Sequence, residues 1–124
     1  MIDILNRADL YLLVKQFYIK LMNDALLKPF FADLNTDEKL EQHLQILVDF
    51  WDQQLFYNGT YHRNALLPHL NMHQKLPFKK EHFEQWLSFF GQTVDQNFVG
   101  EKANQAKIKA QSIATVIQIK ISQL

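Results

Sequence analysis

The chain has 124 residues, in which 13 basic side chains balance 13 acidic ones, and it contains no cysteine. A chain of this length fits one domain over residues 1–124, and its lack of net charge gives no overall field that would attract nucleic acid or an anionic membrane. The absence of cysteine excludes disulfides, thiolate metal sites, cysteine nucleophiles and thioether-linked cofactors.

The first predicted helix lies between Asn6 and Asn23, where apolar residues recur at three- and four-residue steps. Asn6 is suited to cap this helix, because Asp9 follows three residues later as in a capping box. Pro29 disfavours helical backbone just before it, so the segment 29–34 is predicted to form a separate turn or short helix.

A second helix is predicted to begin after Thr36, whose hydroxyl can cap it and which precedes two acidic residues at the positive end of the helix dipole. Its apolar stripe consists of Leu40, Leu44, Leu47, Trp51 and Leu55. The helix is predicted to end at the turn Asn58-Gly59-Thr60, in which Gly59 takes the left-handed closing conformation.

The segment 64–70 is predicted to form at most a two-turn helix, because Pro68 belongs in a first turn and not in a helix interior. A loop is expected from there through Pro77. Another amphipathic helix is predicted over residues 80–98, and Gly100 opens a last helix whose early alanines would let a neighbouring helix come close. The sequence therefore predicts an all-α domain with four principal helices and several short ones.

Three hydrogen-bonding side chains lie on the predicted apolar stripes, namely Tyr18, His43 and Trp86. Each taken alone is compatible with a core residue whose polar tip binds a backbone carbonyl. The chain also has ten phenylalanines. Such a share indicates either a bulky core or a pocket for a flat, apolar molecule.

Three of the five histidines are concentrated between residues 66 and 87. His69 follows Pro68 in an apolar turn and is a candidate metal ligand, with a surface or hydrogen-bonded histidine as the alternative. His73 is expected in a polar loop and His82 in the solvent-exposed first turn of a helix. Zinc fits poorly, because the segment from His69 to His73 is not expected to be a regular helix and lacks a third ligand. One imidazole among many aromatic residues suggests a haem.

Several stretches of the chain, in this order and spacing, resemble a group III truncated haemoglobin. They are "FY" at Phe17-Tyr18, "PFF" at Pro29-Phe31, "LEQHLQILVDFW" at Leu40-Trp51, "PHL" at Pro68-Leu70 and "EHFEQWLSFFGQTVDQNF" at Glu81-Phe98. The closing stretch "GEKANQAKIKAQSIATVIQIKI" is similar to the last helix of that group, although it is not specific by itself. The likeness thus covers nearly the whole chain.

The resemblance implies a truncated globin fold, a two-over-two helical sandwich around a b-type haem bound without covalent links. It implies that His69 is the proximal iron ligand and that Tyr18, His43 and Trp86 form the distal side. Cofactor contacts are also implied for Phe31, which packs on the haem face, and for Leu47, Phe50, Trp51 and Phe83.

The loop after His69 looks longer than in some members of the group, which makes His73 a rival iron ligand. The match of Pro68-His69-Leu70 together with the preceding "NALL" favours His69. His82 is then expected near the haem edge or in solvent.

The implied function is the binding of dioxygen and other small ligands, including nitric oxide and peroxide, with hydrogen bonds from Tyr18 and Trp86 that slow ligand release. His43 either gates ligand access or merely closes the pocket. Redox turnover would need an unidentified external reductase, because the sequence has no flavin or nicotinamide motif. No signal peptide or membrane span is recognisable, so a cytoplasmic protein is expected. The alternative is a haem-free helical interaction module.

Overall fold

The computed structural model describes residues 1–59, 61 and 66–124, and of residues 66 and 67 it describes only the backbone. In these ranges the chain forms five α-helices and one short 3-10 helix, and no strand is present, which confirms the all-α class. The helices are α1 (Arg7–Met22), the 3-10 helix (Lys28–Phe31), α2 (Asp37–Phe56), α3 (Leu66–Lys75), α4 (Lys80–Asn97) and α5 (Glu101–Ser122). None of them combines the length and apolar composition that crossing a lipid bilayer requires.

The four long helices pack as two pairs, α1 with α2 and α4 with α5. The pairs meet where α1 contacts α4 and where α2 contacts α5, which is the expected two-over-two arrangement. Leu10, Leu13 and Leu21 of α1 are fully buried at this junction, and each contributes about 1.5–3 kcal/mol by leaving water. Alanines of α5 are buried as well, and their small side chains let the neighbouring helices approach closely.

The starts of α1 and α2 follow the sequence prediction. The Asn6 side chain accepts a hydrogen bond from the amide of Asp9 at 3.1 Å, and the Thr36 hydroxyl accepts one from the amide of Lys39 at 3.2 Å. The Asp9 carboxylate in turn accepts from the amide of Leu5 at 2.8 Å. The first two bonds satisfy amide groups of the first helical turn that have no carbonyl partner within the helix, and the third ties the preceding residue to that turn.

The end of α2 departs from the prediction. The left-handed residue that closes the helix is Tyr57, with φ of 59°, and Gly59 lies beyond it, also at positive φ. Lys102 compensates for this conformation, since its ammonium donates to the carbonyl of Leu55 at 2.7 Å and lies over the Tyr57 ring. Tertiary contacts from α5 therefore fix the closing residue. Thr60, the last residue of the predicted turn, lies outside the described residues.

Helix α3 is longer than predicted. It runs from Leu66 to Lys75, with Pro68 in its first turn, where the missing amide hydrogen costs nothing. The expectation of at most two turns followed by a loop is wrong, and His73 belongs to the last turn of a regular helix. Its exposed residues Asn71 and Gln74 alternate with half-buried ones, so the segment is amphipathic. Residues 64 and 65, which the sequence prediction includes in this helix, lie outside the described residues.

The start of α5 depends on an acidic residue from the other end of the chain. Gly100 opens the helix as predicted, with φ of 144°, and the Asp3 carboxylate accepts hydrogen bonds from the amides of Lys102 and Ala103, each at 2.8 Å. Desolvation raises the pKa of Asp3, but these hydrogen bonds outweigh it and lower the pKa below the ordinary value. A Cβ atom at Gly100 would lie 2.6 Å from Cγ of Asp3, so only glycine fits here.

Candidate functional site

Tyr18 and His43 meet inside the contact between α1 and α2. The Tyr18 hydroxyl oxygen lies 2.8 Å from Nε2 of His43, and the two atoms share one hydrogen whose position depends on the histidine tautomer. Burial raises the pKa of the Tyr18 phenol. Desolvation lowers the pKa of His43, and the charge of the nearby His69 lowers it further. Both side chains are therefore neutral near pH 7, and the pair can redirect a hydrogen without gaining charge.

An aromatic cluster holds the tyrosine in place. The ring of Phe17 lies edge-on to the rings of Tyr18, Trp86 and Phe90, with centroid distances of 5.8, 5.5 and 5.1 Å. Phe31 from the 3-10 helix lies edge-on to Tyr18 on another side, at 5.3 Å. Edge-to-face pairs of this kind add about 0.5–1.5 kcal/mol each beyond area burial, so the Tyr18 ring has a well-defined position.

Trp86 and Trp51 both contact Phe90 of this cluster. Both indole rings stack nearly parallel with Phe90, at 5.9 Å for Trp86 and 5.1 Å for Trp51. Trp86 is half-buried, whereas only 4% of Trp51 is exposed. Trp51 is thus part of the buried core, whereas Trp86 is partly exposed, and the cofactor contact expected for Trp51 stays a prediction.

His69 approaches the same region from α3. Its influence on the pKa of His43 shows that two imidazoles on different helices are near enough to interact electrostatically. The His69 ring is half-buried and lies 6.4 Å from the ring of Phe78, measured between centroids. The structure therefore brings Tyr18, His43 and His69 into one neighbourhood, although they come from three helices.

Large apolar side chains in this region are only half-buried. They include four residues singled out from the sequence, Phe31, Leu47, Phe50 and Phe83. Half-buried apolar side chains next to a polar pair are typical of the lining of a ligand cleft. Phe50 contacts the core through Trp51 and lies edge-on to Tyr61, at 5.4 and 5.2 Å.

Phe78 is a central residue of the site that sequence reasoning missed. Its ring stacks on Phe30 at 4.7 Å, tilts against Phe83 at 5.6 Å, and lies 6.4 and 6.1 Å from the rings of His69 and His73. A residue in a loop has no helical periodicity to reveal which way it points. Its position directly after Pro77, in a chain otherwise rich in buried phenylalanine, was the one signal available.

His73 and His82 each accept a backbone hydrogen bond through Nδ1. His73 accepts from the amide of Phe78 at 2.9 Å, and His82 accepts from the amide of Lys79 at 2.8 Å. An accepting Nδ1 carries no hydrogen, so in the neutral ring the hydrogen is on Nε2. His82 is half-buried with its ring edge-on to Phe30 at 4.8 Å, and thus it helps to cap α4 where a solvent-exposed side chain was expected.

Comparisons with known proteins agree with this architecture. A family model described as bacterial-like globin matches residues 5–118. The group 3 truncated hemoglobin ctb of Campylobacter jejuni is 30% identical over 118 residues, which cover 94% of this chain and 91% of that protein. A crystal structure of group III truncated hemoglobin from Campylobacter jejuni superposes with a TM-score of 0.88 at 29% identity, covering 98% of this chain and 95% of that one. The superposition confirms the fold expected from the sequence.

Proposed function

The chain belongs to the bacterial-like globin family, and from this membership we propose that it binds b-type haem without a covalent link and holds dioxygen or another small diatomic ligand in a polar pocket. In this proposal His69 is the proximal iron ligand, and Tyr18, His43 and Trp86 form the distal side. Haem supplies an iron centre that binds small ligands and can exchange electrons with them.

The observation that carries the proposal is the hydrogen bond between Tyr18 and His43 at 2.8 Å, with His69 near enough on another helix to lower the pKa of His43. An imidazole that lies near a polar pair from other helices supplies the chemistry that a proximal ligand and a distal pocket would need. The half-buried side chains of Phe31, Leu47, Phe50 and Phe83 supply the apolar surface that a porphyrin needs. The side chains present therefore fit a haem.

Hydrogen bonding favours His69 over His73 as the iron ligand. An imidazole that binds a metal through Nε2 usually carries its hydrogen on Nδ1 and donates it to a carbonyl or carboxylate. In His73, Nδ1 instead accepts the amide hydrogen of Phe78, which leaves the hydrogen of the neutral ring on Nε2. His73 would have to break this bond and change tautomer before it could bind iron.

On the distal side, His43 directs the hydroxyl of Tyr18. When Nε2 of His43 carries a hydrogen and donates it to the tyrosine oxygen, the tyrosine hydrogen is free to point toward a ligand. The indole N–H of Trp86 is the second donor in the proposal. Each hydrogen bond to a charged acceptor contributes about 1.5–3 kcal/mol, so two such donors favour slow ligand release.

Redox turnover of peroxide or nitric oxide is the finer part of the proposal. The neutral pair of Tyr18 and His43 would hold such a ligand by donating a hydrogen bond, and it would gain no charge because no proton leaves the pair. Electrons for repeated turnover would come from an external reductase, because the sequence carries no flavin or nicotinamide motif.

Haemin titration of the purified protein tests the cofactor and its ligand together. The wild-type chain and the His73→Ala variant should take up haemin and develop an intense Soret band, whereas His69→Ala should lose the spectrum of an imidazole-ligated haem and regain it when free imidazole is added. The two variants are matched, because both histidines are half-buried on α3. A wild-type chain that takes up no haemin would contradict the proposal and favour a haem-free interaction module.

A further inference from the structure

The turn between α3 and α4 is held by the side chain of His73. At the end of α3 the amide of Leu76 donates to the carbonyl of Met72 at 2.8 Å, which completes the helix. The amide of Phe78 points back to the helix as well, and it donates to Nδ1 of His73 at 2.9 Å. The imidazole thus supplies an acceptor for a backbone group of the turn, as a carbonyl does inside a helix.

This bond holds the backbone of Phe78, whose ring packs against several neighbours. The ring stacks against His73 with an interplanar angle of 23° and against Phe30 with an angle of 25°. The ring of Phe78 also lies beside the rings of Phe83 and His69, at 5.6 and 6.4 Å. The ring of Phe78 therefore connects the 3-10 helix and α4 to the imidazole of His69. The backbone of Phe78 is held by His73, which lies one helical turn after His69 on α3.

We propose that His73 is a positioning residue for the proximal side of the site. By holding the amide of Phe78, it keeps the Phe78 ring beside His69 and restricts the rotation of the His69 imidazole. The inference rests on the proposed function, in which His69 binds the haem iron. Groups that orient a metal-binding histidine typically change metal affinity by roughly 10- to 100-fold when they are removed.

A matched pair of variants isolates the accepting atom. In His73→Asn the amide oxygen occupies about the place of Nδ1 and can accept the same hydrogen bond, whereas His73→Leu has a similar size and no acceptor. Asp3→Ala serves as a control for stability, because Asp3 binds the start of α5 and takes no part in these contacts.

The first measurement concerns the hydrogen bond itself and is made on the haem-loaded protein with carbon monoxide, which is diamagnetic. Long-range proton–nitrogen NMR should show His73 with its hydrogen on Nε2. Exchange of the Phe78 amide hydrogen should be slow in the wild type and in His73→Asn, and roughly tenfold faster in His73→Leu, as expected for loss of one hydrogen bond.

The second measurement concerns the orientation of His69. In the ferrous protein without a small ligand, resonance Raman spectroscopy reports the stretch between iron and the proximal imidazole. We expect this band to be shifted or broadened in His73→Leu and unchanged in His73→Asn and Asp3→Ala. Transfer of haem to an acceptor protein should be roughly tenfold faster in His73→Leu than in the wild type.

The outcomes separate this inference from the proposed function. If His73→Leu shows the wild-type Raman band and wild-type protection of the Phe78 amide, the inference is wrong while haem binding by His69 stands. If the proximal band disappears in both His73 variants and persists in His69→Ala, His73 is the ligand, and both the inference and the ligand assignment fail. A wild-type chain that binds no haem overturns the proposed function and the inference with it.

Discussion

Replacing Tyr18 with phenylalanine removes the hydroxyl that shares a hydrogen with Nε2 of His43 at 2.8 Å. The ring of the variant should keep its position, because it packs edge-on against Phe17 and Phe31. Only 8% of Tyr18 is exposed, so bulk water does not readily replace the missing hydroxyl. The substitution therefore tests hydrogen bonding with little change in packing.

The expected change in the rate of oxygen release depends on whether the group that accepts each hydrogen bond is charged or neutral. A hydrogen bond from Tyr18 to a ligand that carries partial negative charge contributes about 1.5–3 kcal/mol, and its loss should speed oxygen release roughly 10- to 150-fold. His43 is kept neutral by desolvation and by His69, which lower its pKa. His43→Leu removes a hydrogen bond between neutral groups, worth about 0.5–1.5 kcal/mol, so release should rise only about 2- to 10-fold.

Stopped-flow displacement of dioxygen by excess carbon monoxide measures these release rates. Because His43 is proposed to act through the tyrosine hydroxyl, the double variant Tyr18→Phe/His43→Leu should release oxygen about as fast as Tyr18→Phe alone. Soret and circular dichroism spectra of each variant verify that haem and fold are retained. A faster release from His43→Leu than from Tyr18→Phe, or strictly additive effects, would refute the reasoning.

Three further substitutions test other parts of the structure. Trp86→Phe keeps a ring that can stack on Phe90 but removes the indole N–H, so oxygen release measured by stopped flow should rise by roughly tenfold. Gly100→Ala forces a Cβ against Asp3 at a φ of 144°, and urea unfolding should show a loss of about 1–3 kcal/mol. Asp3→Ala removes the cap of α5 and should cost about 1–2 kcal/mol at neutral pH. Because the folded protein lowers the pKa of Asp3 from 3.8, this stabilisation is complete above that value. It is lost as the pH falls through the folded pKa, so the unfolding curves of variant and wild type should converge in acid; a gap that widens there would contradict the assigned role of Asp3.

The helix starts were predictable because they depend on nearby residues. Asn6 and Thr36 each accept a hydrogen bond from an amide three positions later, and this relation is visible in the sequence. The end of α2 was not predictable, since Tyr57 takes a left-handed conformation that Lys102 of another helix supports. The cap from Asp3 to Lys102 spans 99 residues, and no local pattern indicates it.

The candidate site shows the same division between local and distant causes. Helical periodicity placed Tyr18 and His43 on inward faces, and both meet there, but their 2.8 Å contact depends on how α1 packs against α2. The sequence predicts a loop at His73 because Pro68 disfavours a helix interior, but a proline in the first turn allows the helix to continue. Once α3 is extended, its last turn brings His73 next to the amide of Phe78.

The two sides of the site are supported in different ways, and this difference has consequences for function. Tyr18, His43 and Trp86 come from three long helices, and two of these residues join the aromatic cluster around Phe17. The arrangement of the proposed distal side is therefore set by the same packing that stabilises the fold. His69 lies on α3, a shorter helix that packs against α5, and the amide of its neighbour Phe78 is held by the side chain of His73. Substitutions on the proposed distal side should accordingly change ligand release with little effect on haem retention, whereas substitutions around Phe78 should act on haem retention first, because the ring of Phe78 lies beside the imidazole proposed to bind the iron.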